Sequence, residues 1–217
     1  MEPHVVKHFK TVDPLLAAAI KPGFAYTLKR SHDHFTGLCR IIIGQQVSTK
    51  AAQSIFAKFT ARFRDGIPTP RKLARLSDET LRAAGLSGSK VRSIRDLADH
   101  IARKQVDLRA IDVLDNEQIA EMLLPVKGIG PWSVEMFLLF YLGREDVFSP
   151  GDLGLRNAIM RIYNLDEVPT KEAMAALSER WKPYRSYACR ILWESLNSNP
   201  DLEIVAEVKT KKYRSAL

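Results

Sequence analysis

Cysteine is scarce in this chain of 217 residues: Cys39 and Cys189 are its two, set far apart in sequence. They can form neither a disulfide framework nor a four-ligand metal set, and a reducing interior is the natural compartment. Long apolar runs are also missing. No stretch approaches the roughly 18 consecutive apolar residues of a membrane span, and Met1-Glu2-Pro3-His4 carries no cationic segment leading into an apolar one. A soluble chain without a membrane partner is therefore expected. Sustained strand alternation, internal repeats and long linkers are absent as well. Negative charge runs short: 25 acidic residues face 33 Lys and Arg, a formal charge of +8. Such a field attracts a polyanion, although charge speaks to association and not to fold. With 46% hydrophobic content the chain can bury a sizeable core, in one unit or two small lobes.

What is present is helical periodicity punctuated by caps. Asp13-Pro14 offers an N-cap and a proline at the first helical position ahead of Leu15 to Ile20. Phe35, Leu38, Ile41 and Ile42 recur at helical spacing, and Ser48 can cap a second run through Phe59. Thr69, Ser77, Asp115 and Thr170 stand before further periodic segments, and Gly85 to Gly88 makes a turn before Val91, Ile94 and Leu97. Ten or so helices and an all-α fold follow. The basic run Lys209-Thr210-Lys211-Lys212-Tyr213-Arg214 reads as a solvated terminus that could add nonspecific affinity for DNA.

The informative segment is Leu124-Pro125-Val126-Lys127-Gly128-Ile129-Gly130-Pro131-Trp132-Ser133, lying between two helical runs. Its glycines allow a hairpin whose amides face outward at the start of the second helix, where a phosphate can come close and Lys127 adds charge. The plainer alternative is an ordinary tight turn between antiparallel helices. Some twenty residues on, Ser149-Pro150-Gly151-Asp152-Leu153 places an aspartate where an N-cap belongs, and the cap would surround its carboxylate with N–H donors and the positive end of the helix dipole. His32-Asp33-His34 raises a metal or acid–base site, but no third ligand lies at useful spacing, so a polar helix start is the preferred reading. Glu121 and Glu135 read as exposed helical residues and Trp181 as core.

The hairpin run followed by Asp152 resembles the helix-hairpin-helix DNA glycosylases. Glu179-Arg180-Trp181-Lys182-Pro183-Tyr184-Arg185-Ser186-Tyr187-Ala188 with Ile191-Leu192-Trp193, and Arg40 to Ser48, are similar to the 3-methyladenine DNA glycosylase II branch. The resemblance implies two helical lobes with double-stranded DNA across the cleft between them and no N-terminal β-domain: a middle lobe of about 31–142, with the hairpin near 119–142, and a second made of 1–30 plus 143–217. It implies a monomeric N-glycosyl hydrolase of base excision repair that flips out and removes alkylated bases of the 3-methyladenine and 7-methylguanine type. The alternatives are a related glycosylase for a deaminated or oxidised base and a noncatalytic DNA-binding module. A cytoplasmic, nucleoid-associated location would follow, or a nuclear one in a eukaryote.

By the same resemblance Asp152 is the catalytic carboxylate, stabilising positive charge on the sugar or orienting water. Trp132 and Trp193 wall the base pocket, where an indole attracts a cationic alkylated purine. Met136 lines the pocket in place of a tyrosine, and Gly151 stands where a second acidic residue can occur. Gln46 takes the place of the wedge that fills the gap left by the extruded nucleotide, with Gln45 beside it; a glutamine that satisfies a helix end is the alternative. Lys127, Gly128, Ile129, Gly130 and Ser133 contact DNA at the hairpin. Trp132 also stands where strand-nicking relatives carry a lysine able to form a Schiff base, which implies a monofunctional enzyme. The four clustered cysteines of an iron–sulfur cluster are missing, so no redox cofactor is implied. The carbonyls of Leu124, Val126 and Ile129 match those that hold Na+ or K+ beside a phosphate in relatives.

Overall fold

The expected cap residues begin the helices of the computed structural model, which describes residues 1–23 and 27–196. The basic run at 209–214 lies outside them. Ser48, Thr69, Ser77 and Thr170 each accept a backbone N–H three residues on, and Asp115 forms a reciprocal capping box with Gln118 at 2.8 and 3.0 Å. Each such cap satisfies a donor that the helix leaves open, worth about 1 kcal/mol. No strand occurs among the described residues, and the fold is all-α.

The chain forms two compact units. One comprises residues 30–142 and contains α3 (His34–Gly44), α4 (Thr49–Thr60), α5 (Pro70–Leu73), α6 (Asp78–Ala83), α7 (Gly88–Ala102), α8 (Asn116–Leu123) and α9 (Pro131–Phe140). Its core gathers Leu38, Ile42 and Ile43 of α3, Ile94 and Leu97 of α7, and Phe137 of α9, all buried. Helix α9 is apolar nearly all round, which is why Ser133, Val134, Met136, Phe137, Leu138 and Leu139 are all buried.

The other unit joins residues 1–29 to 143–217. It holds α1 (Pro3–Val12), α2 (Pro14–Ala18), α10 (Leu153–Ile162), α11 (Lys171–Ser178), a 3-10 turn at Glu179–Trp181 and α12 (Arg185–Leu196). Helix α1 precedes the first helix expected from the sequence; Pro3 at its start and Val5 and Phe9 at i, i+4 are its only local signals. Asp13 does more than cap α2. Its carboxylate is fully buried and also accepts the Trp181 indole N–H at 2.8 Å and the Tyr163 hydroxyl, so three separate segments meet on one side chain. Burying a carboxylate costs several kcal/mol unless hydrogen bonds replace its water, and here three do.

Candidate active site

The loop that leads to α10 is braced from α12. Arg185 grips the Asp146 carboxylate at 2.7 and 3.1 Å, and the Ser186 hydroxyl accepts the Val147 N–H at 3.0 Å while donating to the Arg144 carbonyl. Charge-assisted bonds to both carboxylate oxygens fix the loop in direction as well as position. At its end Asp152 is the N-cap of α10. Its Oδ1 accepts the Leu155 N–H at 2.9 Å and the Trp193 indole N–H at 3.0 Å. Two donors on one oxygen set the plane of a half-buried carboxylate at the positive end of a helix dipole. Gly154 packs against both partners: a Cβ there would stand 3.1 Å from Asp152 Oδ1 and 3.3 Å from Trp193 Nε1. Neither the Trp193–Asp152 bond nor the close approach at Gly154 was legible in the sequence, because the two partners lie 41 residues apart. Trp193 is half-buried, and the edge of its ring is spent on the carboxylate.

The second group of expected residues belongs to the unit of residues 30–142. After α8 the chain turns through Leu124 to Ile129, with the Val126 N–H bonded to the Leu123 carbonyl and the Ile129 N–H to the Val126 carbonyl. Gly128 sits at φ +78°, and a Cβ there would meet Ser93 Oγ at 2.2 Å, so the turn demands glycine twice over. Gly130 differs: its backbone is extended, and a Cβ would meet nothing within 4 Å. The outward-facing amides expected from the sequence need correction at Lys127, whose N–H donates to Asp96 at 2.8 Å while its ammonium lies 3.9 Å from the same carboxylate. The Ser133 amide is likewise spent, bonding the Gly130 carbonyl as α9 begins. The Gly128 and Gly130 amides have no partner among the described residues.

Gln45, expected to touch DNA, turns inward. Its amide nitrogen lies 2.8 Å from the Gly128 carbonyl and 2.9 Å from the buried Ser133 Oγ, so it braces the hairpin and occupies the Ser133 side chain as well. Lys90 secures the same corner by donating to the Ile43 carbonyl at 2.7 Å, a cation at a helix C-terminus whose burial pulls its pKa below the usual lysine value. Gln46 is exposed and adopts φ +56°, a left-handed conformation that costs a non-glycine residue about 1 kcal/mol or more. Ile129 is buried and offers its backbone alone; Trp132 is half-buried at the second position of α9; Met136 is 4% exposed and packs as a core residue. The Val126 carbonyl keeps one lone pair beyond its bond to Ile129, and with those of Leu124 and Ile129 it is the hard oxygen donor that Na+ or K+ prefers.

The fold adds a neighbour to His32 and His34 that their spacing in sequence could not show. His32 and His34 do have a third polar neighbour, Asp112, 78 residues beyond His34 and brought beside both rings by the fold. Asp33 caps α3 on the Thr36 N–H, the polar helix start expected from the sequence, and His34, the first residue of α3, is buried, which pushes its pKa below the ordinary imidazole value against the pull of Asp112.

A carboxylate fixed at a helix start and a glycine hairpin between two helices, on an all-helical chain, define the helix-hairpin-helix class. Comparison with known proteins gives the family. Residues 39–183 match the HhH-GPD superfamily of base excision DNA repair proteins, and the chain belongs to it. DNA-3-methyladenine glycosylase 1 of Schizosaccharomyces pombe is 35% identical over 160 residues, covering 73% of this chain and 70% of that protein. The solved complex of the 3-methyladenine DNA glycosylase Mag1 from the same yeast with abasic DNA superposes with a TM-score of 0.83 at 29% identity, covering 90% of this chain and 97% of the other. A DNA-3-methyladenine glycosidase from Bacillus halodurans gives a TM-score of 0.75 at 32% identity, over 91% and 90% of the two chains.

Proposed function

We propose that this protein is a monofunctional DNA glycosylase that removes alkylated bases of the 3-methyladenine and 7-methylguanine type from double-stranded DNA, acting as a monomer wherever chromosomal DNA is kept. The observation that carries the reading is the Asp152 carboxylate, held on Oδ1 by the Leu155 amide and the Trp193 indole. Departure of a base leaves positive charge on C1′ and O4′ of the sugar. A carboxylate already fixed in orientation stabilises that charge without reorganising during the reaction, which is the most effective form of electrostatic catalysis. The same group can orient the attacking water, so that hydrolysis leaves an abasic site.

An alkylated purine carries charge and is already a good leaving group, so no dedicated general acid is needed. Trp132 supplies an aromatic face on which the extruded base recovers part of its lost stacking. Its ring has no amine, which favours water over a Schiff base as the nucleophile. The Gly128 and Gly130 amides receive a backbone phosphate, and a monovalent cation on the Leu124, Val126 and Ile129 carbonyls would offset the phosphate charge when bound. Gln46 would enter the duplex, where its amide can fill the gap and hydrogen-bond the widowed base; its exposure and left-handed backbone support this role.

Replacing Asp152 with Asn tests the assignment. Single-turnover release of 7-methylguanine from an alkylated duplex is expected to fall by about a hundredfold or more, with duplex affinity retained. Undiminished release would refute the role of Asp152, loss of binding together with release would assign it to binding or folding and not to the chemical step, and no release by the wild type would point to a noncatalytic DNA-binding module.

A further inference from the structure

We propose that His32, His34 and Asp112 form a binding site for a borderline divalent transition cation such as Zn2+, which ties the chain entering α3 to the segment ahead of α8. Each residue presents one ligand atom, and the three atoms lie within 4.8 Å of one another. Asp112 stands between the rings: its Oδ2 is 3.7 Å from His32 Nδ1 and its Oδ1 is 3.7 Å from His34 Nε2. Ligands in a tetrahedral zinc site, at about 2.0–2.1 Å from the metal, are themselves about 3.4 Å apart, so each 3.7 Å contact to Asp112 is near that spacing, and the three atoms, within 4.8 Å of one another, close on a metal by side-chain rotation of the exposed His32.

His34 is the buried member of the cluster. The residue is 7% exposed, its Nδ1 has no hydrogen-bond partner, and its Nε2 stands beyond hydrogen-bond reach of Asp112. Nε2, the nitrogen that faces Asp112, is the one a metal ion would take, with the ring proton left on Nδ1. Two neutral imidazoles and one carboxylate make a borderline donor set, suited to zinc and its neighbours and not to Mg2+ or Ca2+. Arg30 now holds Asp112, with Nη2 2.7 Å and Nε 3.3 Å from Oδ1. Its side chain is half exposed and free to withdraw, so the carboxylate exchanges a guanidinium for the metal.

The test titrates the untagged full chain with Zn2+ alone against a chromophoric chelator at neutral pH, and with Co2+, whose visible absorption reports tetrahedral coordination. A single saturable site is expected. His32→Ala, at a side chain 81% exposed and therefore safe for folding, and Asp112→Ala should each weaken it by about tenfold or more. Arg30→Ala should tighten it severalfold by removing the competing cation. Affinity equal in wild type, His32→Ala and Asp112→Ala would overturn the proposal, as would Co2+ spectra without tetrahedral bands or an Arg30→Ala variant that binds no more tightly.

Discussion

The two hairpin glycines have different reasons to be glycine, and substituting each by alanine separates what the fold needs from what a ligand needs. At Gly128 the backbone is left-handed, and a Cβ would collide with Ser93 Oγ at 2.2 Å. Alanine there costs about 1–2 kcal/mol for the conformation alone, before the turn shifts. At Gly130 φ is −112° and ψ −178°, and an added Cβ meets nothing within 4 Å. Alanine is a poorer N-cap than glycine by about 0.5–1 kcal/mol, but it stiffens the unfolded chain by a similar 0.4–1 kcal/mol. The two nearly cancel, so Gly130→Ala should melt within about 2 °C of wild type. If the hairpin amides receive a phosphate as proposed, a methyl group at the start of α9 would nevertheless stand where that phosphate comes close. Losing one charge-assisted hydrogen bond of about 1.5–3 kcal/mol weakens binding by about tenfold or more. Fluorescence anisotropy on an undamaged duplex at fixed salt, beside thermal unfolding, reads both quantities. Unchanged duplex affinity in Gly130→Ala would refute the hairpin as the phosphate seat, and a large loss of stability would refute the view that the fold tolerates a side chain there.

Gly154→Ala should add up to about 1 kcal/mol of helix propensity to α10 while pressing a methyl group on Asp152 and Trp193, so unfolding temperature holds or rises as single-turnover excision falls severalfold; excision at the wild-type rate would show that the carboxylate tolerates displacement. Trp193→Phe keeps an aromatic face and removes the indole N–H from Asp152. If that bond holds the carboxylate in place, the chemical step slows by about tenfold while duplex affinity stays unchanged; a rate equal to wild type would leave Trp193 only its aromatic face. Gln46→Gly relieves a left-handed backbone and should gain about 1 kcal/mol in chemical denaturation while excision declines for want of a wedge. Stability gained with no loss of excision would remove Gln46 from the reaction.

Local signals carried most of the helices, because a cap and the helix it opens are three residues apart and both are visible in one window of sequence. Ser48, Thr69, Ser77, Asp115, Asp152 and Thr170 all bond where the sequence placed them. The first helix escaped because its N-cap, Glu2, makes no side-chain bond and its apolar face is narrow, Val5 and Phe9 being the residues it buries. What the sequence could not show were pairings across tens of residues: Gln45 with Gly128 and Ser133, Lys90 with Ile43, Asp112 with the two histidines. Their consequence is specific. A glutamine in a segment expected to face DNA reads as a contact, yet the neighbouring Gln46 is the exposed one, and only the structure reveals which of the two turns in.

Asp152 shows why its position was legible when its surroundings were not. An aspartate before a helix is ordinary, and capping alone would explain it. Capping is satisfied by the Leu155 amide, however, and the Trp193 indole that shares Oδ1 adds nothing that the helix requires. A second donor on the same oxygen restricts rotation of the carboxylate about its own axis. The bond also satisfies the indole N–H of a half-buried Trp, but under the proposed reaction its restriction of the carboxylate has a further value, because the direction of the negative charge matters when positive charge develops on a sugar during base departure. The cap therefore fixes where the carboxylate sits, and the indole fixes which way it points.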